Sequence, residues 1–208
     1  MKKINFAVIA SVLVIAAVIG GSRLRAHAGS AATSGIPLSQ LAGSFAGQTA
    51  TNYALCLNAA LTAPQSCSKT PSTQVIPWVD NATTQGTTDT KGNSCSEEIE
   101  TNAPLFPGPF PANGNDDILV GVTTSYNPAT GSGTVSFKEY AAGPGVSCNG
   151  ATFVNTAKAP VIINATIHFV VSQNGSRLDA ITQTIHTTSP VDFIAGFVGH
   201  GFALRQTS

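Results

Sequence analysis

Charged residues are scarce in this chain. Only 10% of its 208 residues are Asp, Glu, Lys or Arg, and the ten basic residues balance the ten acidic ones. In ordinary globular domains roughly a quarter of the residues are charged. A nucleic-acid-binding surface, a coiled coil and a charge-rich disordered chain all need many more charges than this. The composition therefore excludes these three classes.

The chain also lacks the short motifs of several enzyme classes. It contains no Gly-x-Ser-x-Gly, no His-Glu-x-x-His, no phosphate-binding glycine loop and no dinucleotide-binding fingerprint. Scattered residues can still assemble a triad or a metal site, so these absences leave catalysis open. We predict no catalytic residue, no cofactor and no metal site, and we keep an enzyme only as an alternative.

One long uncharged hydrophobic run is present, at the N-terminus, from Ile4 to Ile19. The run follows Lys2 and Lys3 and precedes the small-x-small sequence Ala26-His27-Ala28. This order is typical of a secretory signal peptide. We therefore predict an N-terminal signal helix and a protein that is secreted or periplasmic, with no membrane contact after cleavage.

The predicted boundaries are a signal peptide at 1–28, a flexible segment at 29–40 and a single domain at 41–208. An uncleaved N-terminal anchor is the alternative, because Arg23 and Arg25 follow the hydrophobic run and are atypical of the end of a signal peptide. Cleavage would leave six basic against ten acidic residues, so the exported part would be mildly acidic.

The chain contains four cysteines, Cys56, Cys67, Cys95 and Cys148. An even number in an exported chain predicts disulfides, and four cysteines allow three pairings. We predict a Cys56–Cys67 bond, which closes a short loop, and a Cys95–Cys148 bond, which closes a long one. Unpaired catalytic thiols are the alternative.

The composition after the N-terminal run favours β-strands. The sequence has 24 threonines, all after residue 28, and threonine and valine suit a pleated, half-buried surface better than a helix. From Phe45 to Leu57 the bulky residues occupy the odd positions, which is the period of a strand with one packed face. A short helix is expected at Pro37–Ala42.

Turn chemistry predicts two hairpins. Asn127–Gly131 combines a proline that fixes φ with a glycine that can be left-handed, and Asn174-Gly175 is a strong two-residue turn signal. The hydrophobic alternation changes phase around Gly199–Gly201, where we expect a glycine bulge. Ala103–Asn115 contains four prolines, which predicts a long stiff loop.

These segments predict an all-β fold. About eight strands joined by hairpin-sized turns, without a βαβ rhythm, indicate an antiparallel up-and-down β-barrel. A β-sandwich is the alternative.

The two ends of the predicted barrel resemble those of the calycins, which include the lipocalins and avidins. Gly43-Ser44-Phe45 begins the first strand, and Arg205 ends the last one. In calycins the first strand carries Gly-x-Trp, and an Arg or Lys of the final strand packs over that tryptophan. The resemblance implies a structural role for Gly43, Phe45 and Arg205 at the closed end of the barrel. Position 45 is Phe rather than Trp, and the resemblance implies no activity.

Six residues are candidates for ligand binding. A two-residue turn at Asn174-Gly175 would pair Ile163 with His186 and His168 with Ile181. His186 would then point into the barrel and His168 away from it. Aromatic residues of the proline-rich loop could cover the barrel mouth, and tyrosines and the tryptophan could form its walls. The candidates are His186, Tyr53, Tyr126, Phe106, Phe110 and Trp78.

The acidic residues occur in clumps. Glu97, Glu98 and Glu100 lie close together, and Asp116-Asp117 follows Asn-Gly-Asn. Paired carboxylates can serve acid–base chemistry or bind Ca²⁺, but adjacent residues of a strand point to opposite faces. We interpret Asp116-Asp117 as a solvated turn, with a calcium site at Asn113–Asp117 as the alternative.

The favoured function is the binding of a small apolar ligand inside the barrel, without catalysis. A structural or surface-interaction module with a filled core is one alternative. The other is an isomerase- or cyclase-type enzyme that uses His186 with Tyr53 or Tyr126. The binding hypothesis expects small and apolar side chains to face a cavity; they are Thr49, Thr51, Val120, Val122, Ala165 and Thr182.

Overall fold

The structure is a computed structural model that describes residues 35–67, 73–104, 113–172, 174–188 and 191–207, so the predicted signal peptide lies outside it. In the described residues a short 3₁₀ turn at Leu38–Leu41 precedes ten strands. The strands are β1 (Gly43–Leu57), β2 (Gln74–Thr88), β3 (Asn93–Pro104), β4 (Asn113–Asn127), β5 (Ser132–Ala141), β6 (Val146–Asn149), β7 (Thr152–Asn155), β8 (Ile163–Val171), β9 (Arg177–Thr187) and β10 (Ile194–Arg205). The all-β prediction is confirmed.

Eight strands form a closed antiparallel barrel in the order β1-β10-β9-β8-β5-β4-β3-β2. The hairpin β6–β7 forms a separate two-stranded sheet, and otherwise neighbours in the barrel are neighbours in the chain. β1 closes the barrel by pairing with β10, from Phe45 opposite Arg205 to Leu55 opposite Ile194. The up-and-down barrel is therefore confirmed, and the sandwich alternative is wrong.

The alternation in β1 matches the wall of this barrel. Phe45 and Thr51 are buried, whereas Ser44 and Asn52 are exposed. Because successive side chains of a strand point to opposite faces, every second residue of each barrel strand points into the interior.

The 3₁₀ turn and the residues before it close one end of the barrel. Ile36 and Leu41 are buried and pack with Phe169, and the Tyr126 hydroxyl donates a hydrogen bond to the Ile36 carbonyl at 2.8 Å. Residues 35–40 belong to the segment predicted to be flexible; in the structure Ile36 is buried and Leu38 packs against the same cluster. Burial of apolar side chains, worth roughly 2 kcal/mol each, holds it in place.

Arg205 joins three parts of the same end. Its guanidinium lies 5.3 Å from the centre of the Phe45 ring and donates hydrogen bonds to the carbonyls of Gln40 and Gly175. Gly43 has a φ of 140°, and a Cβ atom there would lie 3.5 Å from Nη1 of Arg205. This is the structural role that the calycin resemblance implied for these residues.

Both predicted hairpins are confirmed. Gly131 and Gly175 have φ values of 66° and 68°, the left-handed conformation that their turns require. The Gly131 N–H donates to the Asn127 carbonyl at 2.9 Å, and the Ser172 N–H donates to the Arg177 carbonyl at 2.9 Å.

The bulge predicted near Gly199–Gly201 is wrong in its position. β10 pairs with β1 without interruption from Val198 to Arg205, and the register shifts between Ala195 and Val198. Gly196 lies in this interval with a φ of 54°, which suits a bulge. The phase change read from the sequence between Phe197 and Phe202 is therefore absent, and the shift that does occur lies earlier in the strand.

The proline-rich segment is shorter than predicted at both ends. β3 continues to Pro104 and β4 begins at Asn113, where Asn102 pairs with Asn113. A proline is tolerated at position 104 because this position is the last of β3. The remaining residues, 105–112, lie outside the described part.

The hairpin β6–β7 packs on the outer surface of β3 and β4. The Cys95–Cys148 disulfide joins it to β3, and Cys95, Ile118 and Val146 form a buried cluster there. Val120 packs against this outer cluster and Val122 is exposed, so the prediction that both face the cavity is wrong.

Both predicted disulfides are confirmed, because the structure also contains the Cys56–Cys67 bond. Disulfides form and persist in oxidising compartments, so the two bonds indicate an extracellular or periplasmic environment.

Candidate ligand-binding cavity

The interior of the barrel contains a cavity of about 180 Å³ next to the 3₁₀ turn, and we call this region the apolar end. Six hydroxyl-bearing residues interrupt the apolar wall: Thr49, Thr84, Thr88, Ser94, Ser96 and Thr123. The apolar side chains are those of Leu38, Leu41, Phe45, Leu119, Val135, Phe137, Ile167, Phe169 and Leu178. The arrangement suits a hydrocarbon group, which needs no hydrogen-bond partner.

Further along the barrel axis lie two cavities of about 110 and 420 Å³, which together form what we call the acidic end. The smaller one adjoins the apolar end, since Leu119, Phe137 and Ile167 line both. The two cavities of the acidic end also share wall residues, among them Tyr53 and Glu139. The interior is thus apolar at one end and acidic at the other.

Five carboxyl groups line the acidic end, and we call them the acidic cluster. They lie on four neighbouring strands, and the strand register brings them together: Glu98 stands opposite Asp117, and Glu139 stands opposite Leu119. Like charges placed directly opposite each other across two strands are destabilising. The members are Asp80, Glu98, Glu100, Asp117 and Glu139.

The acidic cluster has no basic partner in the part of the chain that the structure describes. The two ion pairs there, Arg177–Asp179 and His186–Asp192, are exposed to solvent. Buried charges are normally paired or neutralised. The cluster must therefore hold protons or bind a cation.

Burial raises the pKa values of two members of the acidic cluster, Asp80 and Glu98, to about the same value. Burial, the charge of Glu100 and a hydrogen bond with Glu100 raise the pKa of Asp80 to about 8. Burial and the charges of Glu100 and Asp80 raise the pKa of Glu98 to about 8, although the Thr49 hydroxyl donates to it at 3.4 Å. Burial thus favours the protonated, uncharged form of both groups near neutral pH.

The remaining shifts have the same cause. Burial and the charge of Glu100 raise the pKa of Asp117 to about 6 and that of Glu139 well above its usual value. Burial and the charge of Asp80 also raise the pKa of the Tyr53 hydroxyl. Every shift lowers the negative charge of the empty site.

Several polar groups of the acidic end lack hydrogen-bond partners. The Oδ1 atom of Asp80 is fully buried and has none. The side chains of Asp117 and Thr51 are 4% and 9% exposed, and neither makes a hydrogen bond within the described residues. Glu100, by contrast, accepts from the amide groups of Asn102 and Asn115. Buried polar groups in folded proteins are usually satisfied, so these atoms are candidates for contact with a ligand.

The acidic cluster does not bring three metal ligands together in the described part of the chain. Among residues 35–207, apart from the stretches that the structure leaves undescribed, no three His, Cys, Asp or Glu side chains come close enough to hold one. The calcium alternative also required a turn at Asn113–Asp117. These residues instead form the start of β4, and Asp117 points inward rather than into solvent.

Two of the six predicted ligand-binding residues lie at the acidic end. Tyr53 and Trp78 face each other across β1 and β2 and line the larger cavity there. Tyr126 lies at the opposite end, where its ring stacks on Phe169 with 6.0 Å between the ring centres. Phe106 and Phe110 lie outside the described residues.

His186 faces outward, which contradicts the predicted orientation. Its side chain is 60% exposed and its Nδ1 lies 2.7 Å from Asp192. Next to the turn the predicted register holds, with His168 opposite Ile181, but it shifts by one residue between Thr166 and Ile167. Asn164, rather than Ile163, therefore stands opposite His186.

The acidic cluster was not among the predicted site residues. Its clearest sequence signal is the alternation Glu98-x-Glu100-x-Asn102, which places three polar side chains on one face of a strand. In a half-buried strand such a face would ordinarily be assigned to solvent. That assignment is wrong here because the outer face of β3 carries Cys95, which the β6–β7 hairpin covers.

The fold and the site define a class: a closed antiparallel β-barrel with an internal cavity that is apolar at its closed end and acidic beyond it. No protein-family model, curated protein or solved structure is significantly similar to the chain. In the described ranges, no helix combines the length and the hydrophobicity that crossing a membrane requires.

Proposed function

We propose that the chain is an exported, calycin-type barrel that binds a small molecule with an apolar body in its interior, without catalysis. The observation that carries the proposal is the apolar end, a cavity of about 180 Å³ closed by the 3₁₀ turn. Small-molecule sites are concave and mostly apolar, with a few placed polar groups. The N-terminal sequence and the two disulfides support export.

The cavities also bear on the two alternatives. A structural module would have a filled core, so an internal cavity favours binding. An isomerase or cyclase that relies on His186 is disfavoured, because this side chain lies outside the barrel. Acid–base catalysis remains a second candidate on one observation, the hydrogen-bonded carboxyl pair of Asp80 and Glu100 inside the cavity.

Filling the apolar end tests the proposal. Ala180 lines this cavity, while the next residue, Ile181, is exposed on the outer surface. We expect Ala180→Phe to abolish the fluorescence enhancement of Nile red, a neutral apolar dye, and Ile181→Phe to leave it unchanged. Ser96→Leu fills the cavity from the opposite wall and should act like Ala180→Phe.

Thermal unfolding of each variant establishes that it is folded. The proposal is overturned if the wild-type protein does not bind the dye, or if folded Ala180→Phe and Ser96→Leu proteins bind it as the wild type does.

A further inference from the structure

We propose that the acidic end recognises a protonated amine, so that the ligand is a small organic amine whose hydrocarbon body lies in the apolar end. This inference rests on the proposed function and specifies the chemical class of the ligand. It is carried by the charge of the site, its unsatisfied polar atoms, the spacing of its carboxyl groups and its continuity with the apolar end.

The charge of the site favours a cation. Five carboxyl groups line the acidic end, and no described Lys, Arg or His pairs with any of them. The walls contributed by β8, β9 and β10 are uncharged and include Ile163, Thr182 and Ile194. A ligand that carries positive charge would supply the partner that the protein itself does not.

The unsatisfied atoms show where hydrogen-bond donors are missing. Asp80 Oδ1 and the Asp117 carboxyl group can accept hydrogen bonds, and Thr51 presents a hydroxyl group to the same interior. Thr51 is independent evidence because it is not acidic, is only 9% exposed and makes no hydrogen bond to any residue that the structure describes. An ammonium group carries up to three N–H donors, so one such group can donate to more than one acceptor.

The spacing of the carboxyl groups selects an organic cation over a metal ion. A metal ion needs several ligand atoms within about 2.0–2.6 Å. No three acidic side chains of the described chain meet this requirement. An organic ammonium group is larger and can contact carboxyl groups that are further apart.

The surroundings of the cluster explain why the cation should carry an apolar body. Leu119, Phe137 and Ile167 line both the apolar end and the smaller cavity of the acidic end. Tyr53 and Trp78 add aromatic surface at the acidic end, and aromatic rings attract organic cations. A ligand with a positive charge and an apolar body would contact both the acidic end and the apolar end.

Three six-carbon probes with different head groups separate the contribution of charge to binding from that of hydrophobicity. Hexylamine, 1-hexanol and hexanoate are titrated by calorimetry at pH 7.5, where the amine is a cation. We expect hexylamine to bind at least about tenfold more tightly than 1-hexanol, because hydrogen bonds to charged groups are the stronger ones. Hexanoate should bind more weakly than either.

Neighbouring residues provide matched variants. Asp117 faces the cavity and Asp116 is exposed beside it; Glu98 and Glu97 have the same relation on β3. Asp117→Asn and Glu98→Gln should each weaken hexylamine binding about tenfold and leave 1-hexanol binding unchanged. Asp116→Asn and Glu97→Gln should change neither. Thermal unfolding confirms that all four variants are folded.

The outcomes distinguish this inference from the proposed function. If 1-hexanol binds as tightly as hexylamine, or if Asp117→Asn and Glu98→Gln leave hexylamine binding unchanged, the amine proposal is wrong and an apolar ligand remains. Binding of Ca²⁺ alone that is lost in Asp117→Asn would replace the amine by a metal ion. If neither hexyl compound nor Nile red binds, the proposed function itself fails.

Discussion

Glu98 and Asp117 stand directly opposite each other on β3 and β4, and both are buried. Two ionised carboxylates in this position would repel each other in a region with little water. The observed pairing of Glu98 with Asp117 is therefore favourable only if protons or a ligand reduce the negative charge of these two groups. At the scale of single residues, the stability of the empty protein is therefore linked to pH.

Glu98→Gln should reduce this pH dependence. Burial raises the pKa of Glu98 from 4.5 to about 8, so the folded state holds a proton that the unfolded chain releases. The stability contribution is complete below about pH 4.5 and is lost as the pH rises to about 8. If the Gln side chain behaves as the protonated carboxyl group does, the variant should be more stable than the wild type by roughly 4 kcal/mol at pH 8.

Thermal unfolding between pH 4.5 and pH 8 measures the effect, with Glu97→Gln as the exposed control. Glu98 shares the acidic end with Tyr53, Asp80, Glu100, Asp117 and Glu139. The pKa values of Asp80, Asp117 and Glu139 are also raised, so part of the pH dependence should remain. If the stability of the wild type and that of Glu98→Gln change with pH in the same way, the raised pKa of Glu98 is contradicted.

At the scale of elements, Arg205 connects the last strand to the first strand and to the 3₁₀ turn. We expect Arg205→Ala to lower the free energy of unfolding by about 1–3 kcal/mol, because it removes hydrogen bonds to two backbone carbonyls and the contact with Phe45. Urea denaturation measures this loss.

Arg177 provides a matched control for Arg205. It also lies over an aromatic ring, that of Phe202, but its ion pair with Asp179 is exposed. Surface ion pairs contribute little to stability, so Arg177→Ala should have a smaller effect than Arg205→Ala. Equal losses would mean that Arg205 has no special role in closing the barrel.

The elements also show which features of the fold the sequence could predict. Hairpin turns follow from local chemistry, and Gly131 and Gly175 adopt the predicted left-handed conformation. The register shift between Thr166 and Ile167 has no comparable local signal. A shift of one residue moves side chains to the other face, which is why the predicted orientation of His186 is wrong.

The candidate site was less predictable than the fold for a related reason. Its carboxyl groups come from four strands, and their convergence depends on the closure of the barrel and on the register of each pair. Tyr53 and Trp78 could be proposed from residue type alone. Asp117 could not, because its burial is a property of the assembled barrel rather than of the Asp-Asp sequence.

At the scale of the whole molecule, the two disulfides constrain different lengths of chain. Cys95–Cys148 spans 53 residues and Cys56–Cys67 spans 11. The chain-entropy model gives about 4 and about 3 kcal/mol respectively. We expect the Cys95→Ser, Cys148→Ser double variant to lose more stability than the Cys56→Ser, Cys67→Ser variant, since Cys95 also belongs to a buried cluster.

Urea denaturation of the two double variants measures the difference. Binding of Nile red should persist in the Cys95→Ser, Cys148→Ser variant, because the β6–β7 hairpin packs outside the barrel wall. A larger loss in the Cys56→Ser, Cys67→Ser variant would show that loop length and the outer cluster do not set the order.

All five carboxyl groups of the acidic cluster are encoded between residues 80 and 139, in four consecutive strands. The strands β8, β9 and β10, together with the 3₁₀ turn, supply uncharged walls and the closed end. Replacement of this one stretch would therefore change the charge of the interior and leave the β1–β10 pairing that closes the barrel unaltered. The charge of the cavity and the closure of the barrel are thus carried by different parts of the chain.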